Sequence, residues 1–237
     1  MTSNHVLVIG GSSGIGLALA ELLLADNVAV TIAGRSRQRL AAAHRRLPRL
    51  HTHRVDIADE GQVQELLEAV VPVQHIVVTA ADATNAVAPI RELTIANARA
   101  LIDTKLLGPW LVAKYAADSL GAGSTLTFTS GFSAYRPGPG ASMTASVNGA
   151  LEAMARALAL ELAPTRVNAV SPGWTDTPMW DTIAGEHRAQ RLSEMAARLP
   201  VGRVGQPEDT ASAILALIRN DHITGTLLHV DGGQRLV

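Results

Sequence analysis

Seven short runs rich in β-branched residues, each about the length of a strand, are separated along the chain by stretches of helical periodicity. They fall at residues 5–9, 28–33, 51–55, 75–80, 124–129, 166–171 and 226–230. In the first intervening stretch Ile15, Leu19, Leu22 and Leu23 share one face of a helical period. Strands that are apolar on both sides need cover on both sides, and the intervening helices provide it. The pattern therefore predicts an α/β fold, a doubly wound parallel sheet of about seven strands flanked by helices. No linker-like stretch or shift of composition interrupts the alternation, so residues 1–237 are expected to form a single domain.

Composition narrows the function classes. Hydrophobic residues make up 47% of the chain and charged residues 17%, enough apolar surface for a sizeable core and too much for a disordered chain. The absence of cysteine excludes disulfides, thiol catalysis, iron–sulfur clusters and cysteine-ligated zinc, and suits a reducing cytoplasm. A net charge of −1 gives no global positive field for nucleic acid or anionic lipid. The apolar runs are far shorter than the roughly 20 residues of a membrane span. No basic segment precedes a long apolar stretch at the N-terminus, so a secretory signal is not expected. A cytoplasmic protein with neither a nucleic-acid nor a membrane partner is the expectation.

The first run ends in Ile9-Gly10-Gly11-Ser12-Ser13-Gly14-Ile15-Gly16, directly before the first helix. Glycines here allow a tight turn and let a pyrophosphate approach the helix N-terminus, where free N–H groups and the dipole favour an anion. The spacing is G-x3-G-x-G rather than the G-x-G-x-x-G fingerprint. A dinucleotide site of the NAD type usually has a carboxylate about 20 residues further on, to hold the ribose hydroxyls. Here the corresponding turn reads Ala33-Gly34-Arg35-Ser36, with Arg37 close behind and no acid. A guanidinium and a hydroxyl suit a 2′-phosphate, so NADP(H) is the expected cofactor, with NAD as the alternative.

With these features in place, the sequence resembles the short-chain dehydrogenase/reductase family, in its compact single-domain form, along practically the whole chain. The first turn is similar to the family's Thr-Gly-x3-Gly-x-Gly, with Ile9 where threonine is usual. Val55-Asp56-Ile57 resembles the adenine-binding aspartate and the amide that follows it, and Thr79-Ala80-Ala81-Asp82 stands where the family has Asn-Asn-Ala-Gly. The segment from Arg166 to Gly173 resembles the one lying against the nicotinamide, and Thr175-Asp176-Thr177-Pro178 the stretch that meets the carboxamide or pyrophosphate. Further matches are Gly202-Arg203, Gln206-Pro207-Glu208-Asp209, Thr224-Gly225 and Val230-Asp231-Gly232-Gly233. The resemblance implies a Rossmann-type fold. The implied cofactor-binding residues are Gly10, Ser12, Ser13, Gly14, Ile15, Gly16, Arg35, Ser36, Asp56, Ile57, Ala80, Ala81, Pro172, Gly173, Thr175 and Thr177. A substrate lid at about 178–200 and a homodimer or homotetramer built on helices near 92–120 and 142–163 are also implied.

At the catalytic positions this chain departs from the family, whose members usually work through a Tyr-x3-Lys pair, a serine and an asparagine. Alignment puts Thr144 at the tyrosine position and Asn148 at the lysine position; a one-residue slip offers Met143 and Val147. Gly131 falls at the serine position with Ser130 as its neighbour, and Lys105 occupies the asparagine position. Lys105, Ser130, Thr144 and Asn148 are therefore the candidate catalytic residues. Lys105 either holds the ribose or donates a proton, or it snorkels and pairs with Asp82 or Asp103. Both tyrosines of the chain, Tyr115 and Tyr135, lie elsewhere: Tyr115 reads as core or interface, Tyr135 as a loop aromatic packing on a neighbour or leaning into the cleft.

No metal site is expected, since His51 and His53 share a strand face without further ligands. His187 lies in the lid, either exposed or as an acid near substrate. Trp174, Met179 and Trp180 give the lid's root an apolar wall, suited to a hydrophobic part of a small-molecule substrate or to packing of the lid. The leading expectation is an NADP-dependent oxidoreductase of the short-chain dehydrogenase/reductase type, acting on a carbonyl/alcohol pair through an atypical site. A cofactor-binding sensor or structural subunit without turnover, and a non-redox lyase or isomerase, are the alternatives.

Overall fold

The computed structural model describes residues 5–81 and 86–237. Strands β1 (His5–Ile9), β2 (Ala29–Gly34), β3 (His51–Arg54), β4 (His75–Val78), β5 (Thr125–Thr129), β6 (Arg166–Pro172) and β7 (Leu227–Val230) form one sheet. Their order is β3-β2-β1-β4-β5-β6-β7, and every neighbouring pair is parallel. This is the doubly wound, Rossmann-type α/β sheet that the apolar runs predict. The fourth run ends as a strand at Val78 rather than at residue 80. There the N–H groups of Thr79 and Ala80 both turn to the Ile9 carbonyl, at 2.8 and 3.2 Å, and close the ladder.

The helices are α1 (Gly14–Ala25), α2 (Arg37–Arg46), α3 (Glu60–Val70), α4 (Ile95–Ile102), α5 (Gly108–Ala116), α6 (Ser142–Glu161), α7 (Met179–Ala184), α8 (Arg188–Ala196) and α9 (Pro207–Arg219). Strand residues alternate between two cores. Val6, Val8, Val30 and Ile32 pack with Leu19 and Leu23 of α1 and Ile214 of α9. Leu7, Ile9, Ile76, Leu126 and Phe128 pack on the other face with Leu66 of α3, Val112 of α5 and Leu151 of α6. Side-chain caps fix several helix starts: Ser36, Asp59 and Thr94 each accept from the backbone N–H three residues on. Among the described residues no helix is long and apolar enough to cross a membrane.

Between α4 and α5 the chain makes a π turn, Asp103–Leu107, in which the Gly108 N–H reaches back five residues to the Asp103 carbonyl. Pro109 explains the break, because it cannot donate to the ladder of an ordinary helix. Gly108 also has no room for a side chain, since a Cβ there would sit 2.8 Å from Ile57.

His75 opens β4 and is buried, its Nδ1 lying 3.0 Å from Thr125 Oγ1. Burial, reinforced by the nearby Arg166 guanidinium, pushes its pKa from 6.5 down to about 4. The unfolded chain therefore takes up the proton first as pH falls, and stability is lost between about 6.5 and 4. Lowering the pH from about 7 to about 5 is expected to cost about 2 kcal/mol through this residue. Denaturant unfolding should show a correspondingly smaller loss for His75→Asn over that interval; equal losses would rule His75 out as the source.

Candidate active site

The strand order reverses direction between β1 and β4, and crevices at such switch points, beyond the strand C-termini, are where ligands bind in open α/β sheets. The glycine turn fills this place. Gly10 has φ +94°, and a Cβ on it would lie 2.5 Å from Ala80 N and Thr79 Oγ1. At Gly16 a Cβ would meet the Gly10 carbonyl at 2.6 Å. Only glycine permits this approach of turn, helix and β4. Ser13 stands at the N-cap of α1 in extended conformation, and its hydroxyl makes no bond to its own helix. Ile15 is in the first turn of α1. Across the crevice Gly14 faces Thr177, whose Cγ2 would be 3.2 Å from a Cβ at Gly14.

Ser12 reaches toward the end of β2, its Oγ 3.6 Å from where a Cβ of Gly34 would stand. Arg35 follows and is exposed; Ser36 is half-buried and its oxygen caps α2 by accepting from Arg39 N at 3.2 Å. The register Gly34↔Arg54 brings a second arginine to this corner, with Arg54 Nε donating to the Arg35 carbonyl at 3.3 Å. Sequence reading passed over Arg54, although strand pairing would have exposed it. Asp56 accepts from Ala58 N through Oδ1, and its own N–H is held by Gln62 Oε1. The Ile57 side chain is buried in the core against α5.

The end of β6 closes the crevice from the other side. A Cβ at Gly173 would meet Gln234 Oε1 at 2.7 Å, and the same amide oxygen accepts from Trp174 N. Pro172 ends the strand; Thr175 and Thr177 are both buried, and Thr175 Oγ1 donates to the Gly173 carbonyl. Beyond them the Trp174 and Trp180 rings meet at a 49° tilt with centroids 4.3 Å apart, and Trp180 Nε1 donates to the Thr175 carbonyl. Met179 is largely exposed beside them. Arg188 of α8 ties this segment down through Asp176, at 2.6 Å, and Asp181. A glycine cradle, an open helix N-terminus, a basic corner at β2 and a threonine-bearing segment opposite together fit an elongated phosphate-containing dinucleotide. Ala80 lies at the floor, while Ala81 is exposed at its edge.

A second cluster lies under α6. Lys105 projects from the π turn, and its Nζ donates to the Ser130 carbonyl at 3.1 Å. Burial pushes its pKa from 10.5 down to about 8, with the Glu152 carboxylate opposing that fall. Ser130 is buried, and its hydroxyl donates to Glu152 Oε1 at 2.7 Å, with Asn148 O further off at 3.4 Å. Tyr135 OH donates to Glu152 Oε2 at 2.6 Å, and its ring meets His229 edge-on at 4.7 Å. Burial and this hydrogen bond to the carboxylate push the Tyr135 phenol up to about 12. Asn148, also buried, donates from Nδ2 to Ser133 Oγ at 2.7 Å, while its Oδ1 has no partner among the described residues. A Cβ at Gly131 would be 2.9 Å from Asn148 Nδ2, so the backbone there abuts the asparagine directly.

The structure thus brings Lys105, Ser130 and Asn148 together. Thr144 lies one turn before Asn148 on α6, its hydroxyl donating to the Ala141 carbonyl at 2.9 Å. Of the partners weighed for Lys105, Asp82 lies outside the described residues. Tyr115 is remote: its OH donates to Glu60 beside Lys114. His187 is exposed, and among the described residues no group of three or more His, Cys, Asp or Glu could hold a metal. Glu152 is the member of the cluster that sequence reading missed. Its signal was its phase, since it shares the buried face of α6 with Val147, Asn148, Leu151 and Ala155.

Comparison with known proteins agrees with the fold. A family model described as enoyl-(acyl carrier protein) reductase matches residues 10–235. A short-chain dehydrogenase/reductase of Stachybotrys chlorohalonatus is 36% identical, over 98% of this chain and 96% of its own. The solved structure of a small-chain dehydrogenase in complex with NADPH is 33% identical, covers 99% of this chain and 100% of its own, and superimposes with a TM-score of 0.86. The MalC reductase/Diels-Alderase of Malbranchea aurantiaca is 32% identical over 98% of this chain and 96% of its own, with a TM-score of 0.91. This chain belongs to the short-chain dehydrogenase/reductase family of oxidoreductases.

Proposed function

We propose that the protein is an NADP-dependent oxidoreductase acting on a carbonyl/alcohol pair, with Lys105, from the family's asparagine position, taking over the proton-carrying role that a tyrosine usually has. The observation that carries the cofactor preference is the corner at the end of β2, where Arg54 lies against the Arg35 backbone, Ser36 follows and no carboxylate stands in the turn. The NADPH carried by a solved neighbour, 33% identical, supports the same reading. In it the backbone from Gly10 to Gly16, with Ser12, Ser13 and Ile15, holds the pyrophosphate, and Arg35 and Ser36 hold the 2′-phosphate. Asp56 and the Ile57 backbone amide flank the adenine, Ala80 and Ala81 the ribose, and Pro172, Gly173, Thr175 and Thr177 the nicotinamide end. A bound nicotinamide supplies hydride transfer; the protein supplies position and a proton path.

Lys105 is half-buried and anchored on the Ser130 carbonyl, and its lowered pKa suits proton donation near neutral pH. In the reductive direction the ammonium gives its proton to the carbonyl oxygen as the alkoxide develops. Asn148 Oδ1, a buried acceptor without a partner among the described residues, and Thr144 line the same site. The segment at about 178–200 acts as the lid of this one domain, and Trp174, Met179 and Trp180 receive a hydrophobic part of the substrate. Exposed Ile95, Leu107 and Trp110 on the helices near 92–120 suit assembly into a homodimer or homotetramer.

Fluorescence titration is expected to give a lower Kd for NADPH than for NADH. Arg35→Ala should weaken NADPH binding by roughly tenfold to a hundredfold and leave NADH nearly unchanged. Tighter binding of NADH by the wild-type protein would overturn the cofactor preference. Deuteride transfer from labelled NADPH to a carbonyl panel should fall by about a hundredfold or more in Lys105→Met. In the wild type the reductive rate should decline as pH rises through about 8, as the ammonium is lost. Unchanged turnover in Lys105→Met would remove Lys105 from the chemistry.

A further inference from the structure

The face of the sheet under α6 is apolar through Leu126, Phe128, Val167 and Ala169. At its C-terminal edge the lining changes to Ser130, Ser171 and His229. Ser171 and His229 are register partners on β6 and β7, and Ser130 N–H bonds to the Val170 carbonyl beside them. Over this polar row α6 places a carboxylate, Glu152, which is 5% exposed. A buried carboxylate is tolerated only when it is hydrogen-bonded and faced by positive charge. Both of its oxygens are engaged, Oε1 by Ser130 and Oε2 by Tyr135. The positive charge of the cluster is Lys105, which holds the carbonyl of the same Ser130 whose hydroxyl Glu152 holds. Ser130 is thus gripped at both ends, between an ammonium and a carboxylate.

We propose that Glu152 is a positioning residue for the reaction, the buried counter-charge that fixes Ser130 and keeps Lys105 cationic in the resting protein. The inference rests on the reading of Lys105 as the proton-carrying group. It also explains why Tyr135, although near, takes no part in proton transfer: its hydroxyl proton is directed at a carboxylate, which holds the phenol neutral. Asn148 Oδ1, Ser171 Oγ and His229 Nδ1 are buried without partners among the described residues, and a cluster built for stability alone would satisfy them. The other charged or titratable groups that act on this cluster are His229 and Asp231 from the β7 end, Arg235 beyond them, and Arg156 on α6. Asp231 is itself tied to Arg235 at 2.7 Å and Arg156 is exposed on α6, whereas Lys105 is joined to Glu152 through Ser130.

The composition makes a direct test available, because Lys105 and Lys114 are the only lysines in the chain. The full-length protein labelled with [ε-13C]lysine should give two side-chain signals, with Lys114 on the surface as the internal control. The Lys105 signal is expected to titrate near 8 in the wild type. In Glu152→Gln its midpoint should move to lower pH by about one unit, while Lys114 stays in place. The falling limb of the reductive pH–rate profile should move by the same amount. A carboxylate with a purely structural role would change the melting temperature and leave the Lys105 midpoint where it was. Should Glu152→Gln fail to fold, Glu152→Met, apolar and of similar length, carries the same expectation. An unmoved Lys105 midpoint in a folded variant overturns the proposal whatever the turnover does. A shifted midpoint together with full turnover in Lys105→Met upholds the coupling and sinks the proton-donor reading instead.

Discussion

The contact on which the rest of the site depends is the one with no side chain in it. Gly10 and Gly16 let the β1 turn, the first turn of α1 and the start of the β4 loop close on one another, with the Ile9 carbonyl receiving two N–H groups from across the switch point. A methyl group at either glycine would stand closer to a backbone atom than a hydrogen-bonded oxygen does, at 2.5 to 2.6 Å. The sheet would have to open there to accommodate it. Because the strands on each side are buried to a few per cent, that opening would disturb both cores at once.

A different balance holds the reaction end together. There the chain gathers a half-buried ammonium, a buried carboxylate, the hydroxyl of a partly exposed tyrosine and several buried hydroxyls under α6. Their mutual hydrogen bonds offset a desolvation cost that none of them could bear alone. Such a cluster is stiff in a way that apolar packing is not, since each member's direction is fixed by its neighbour. Positioning a proton source beside a crevice calls for that stiffness.

The architecture was legible because short runs apolar on both sides, alternating along the chain with helices that carry one apolar stripe, leave few packings open. The glycine cradle was legible because Gly10, Gly14 and Gly16 each answer a local backbone requirement. Arg54 was not, because its place beside Arg35 follows from the parallel register of β2 and β3 rather than from any spacing along the chain. Glu152 stood in plain view on the core face of α6, yet its partners Ser130 and Tyr135 lie 22 and 17 residues away on the far side of a loop. Resemblance pointed to Lys105, but its setting depends on a backbone irregularity that periodicity cannot register.

That irregularity has a consequence for how the chain can vary. A π turn amounts to one residue inserted into an α-helix, and each inserted residue rotates the downstream helix by about 100°. The stretch from Ile95 to Ala116 is therefore two helices of different phase welded at Asp103–Leu107. Losing a single residue there would yield a smoother helix and a worse protein, because Val112 and Ala116 would swing off the core as Lys105 swung off Ser130. The lysine and half of a hydrophobic face are set by the same miscount, so neither can be retuned without the other.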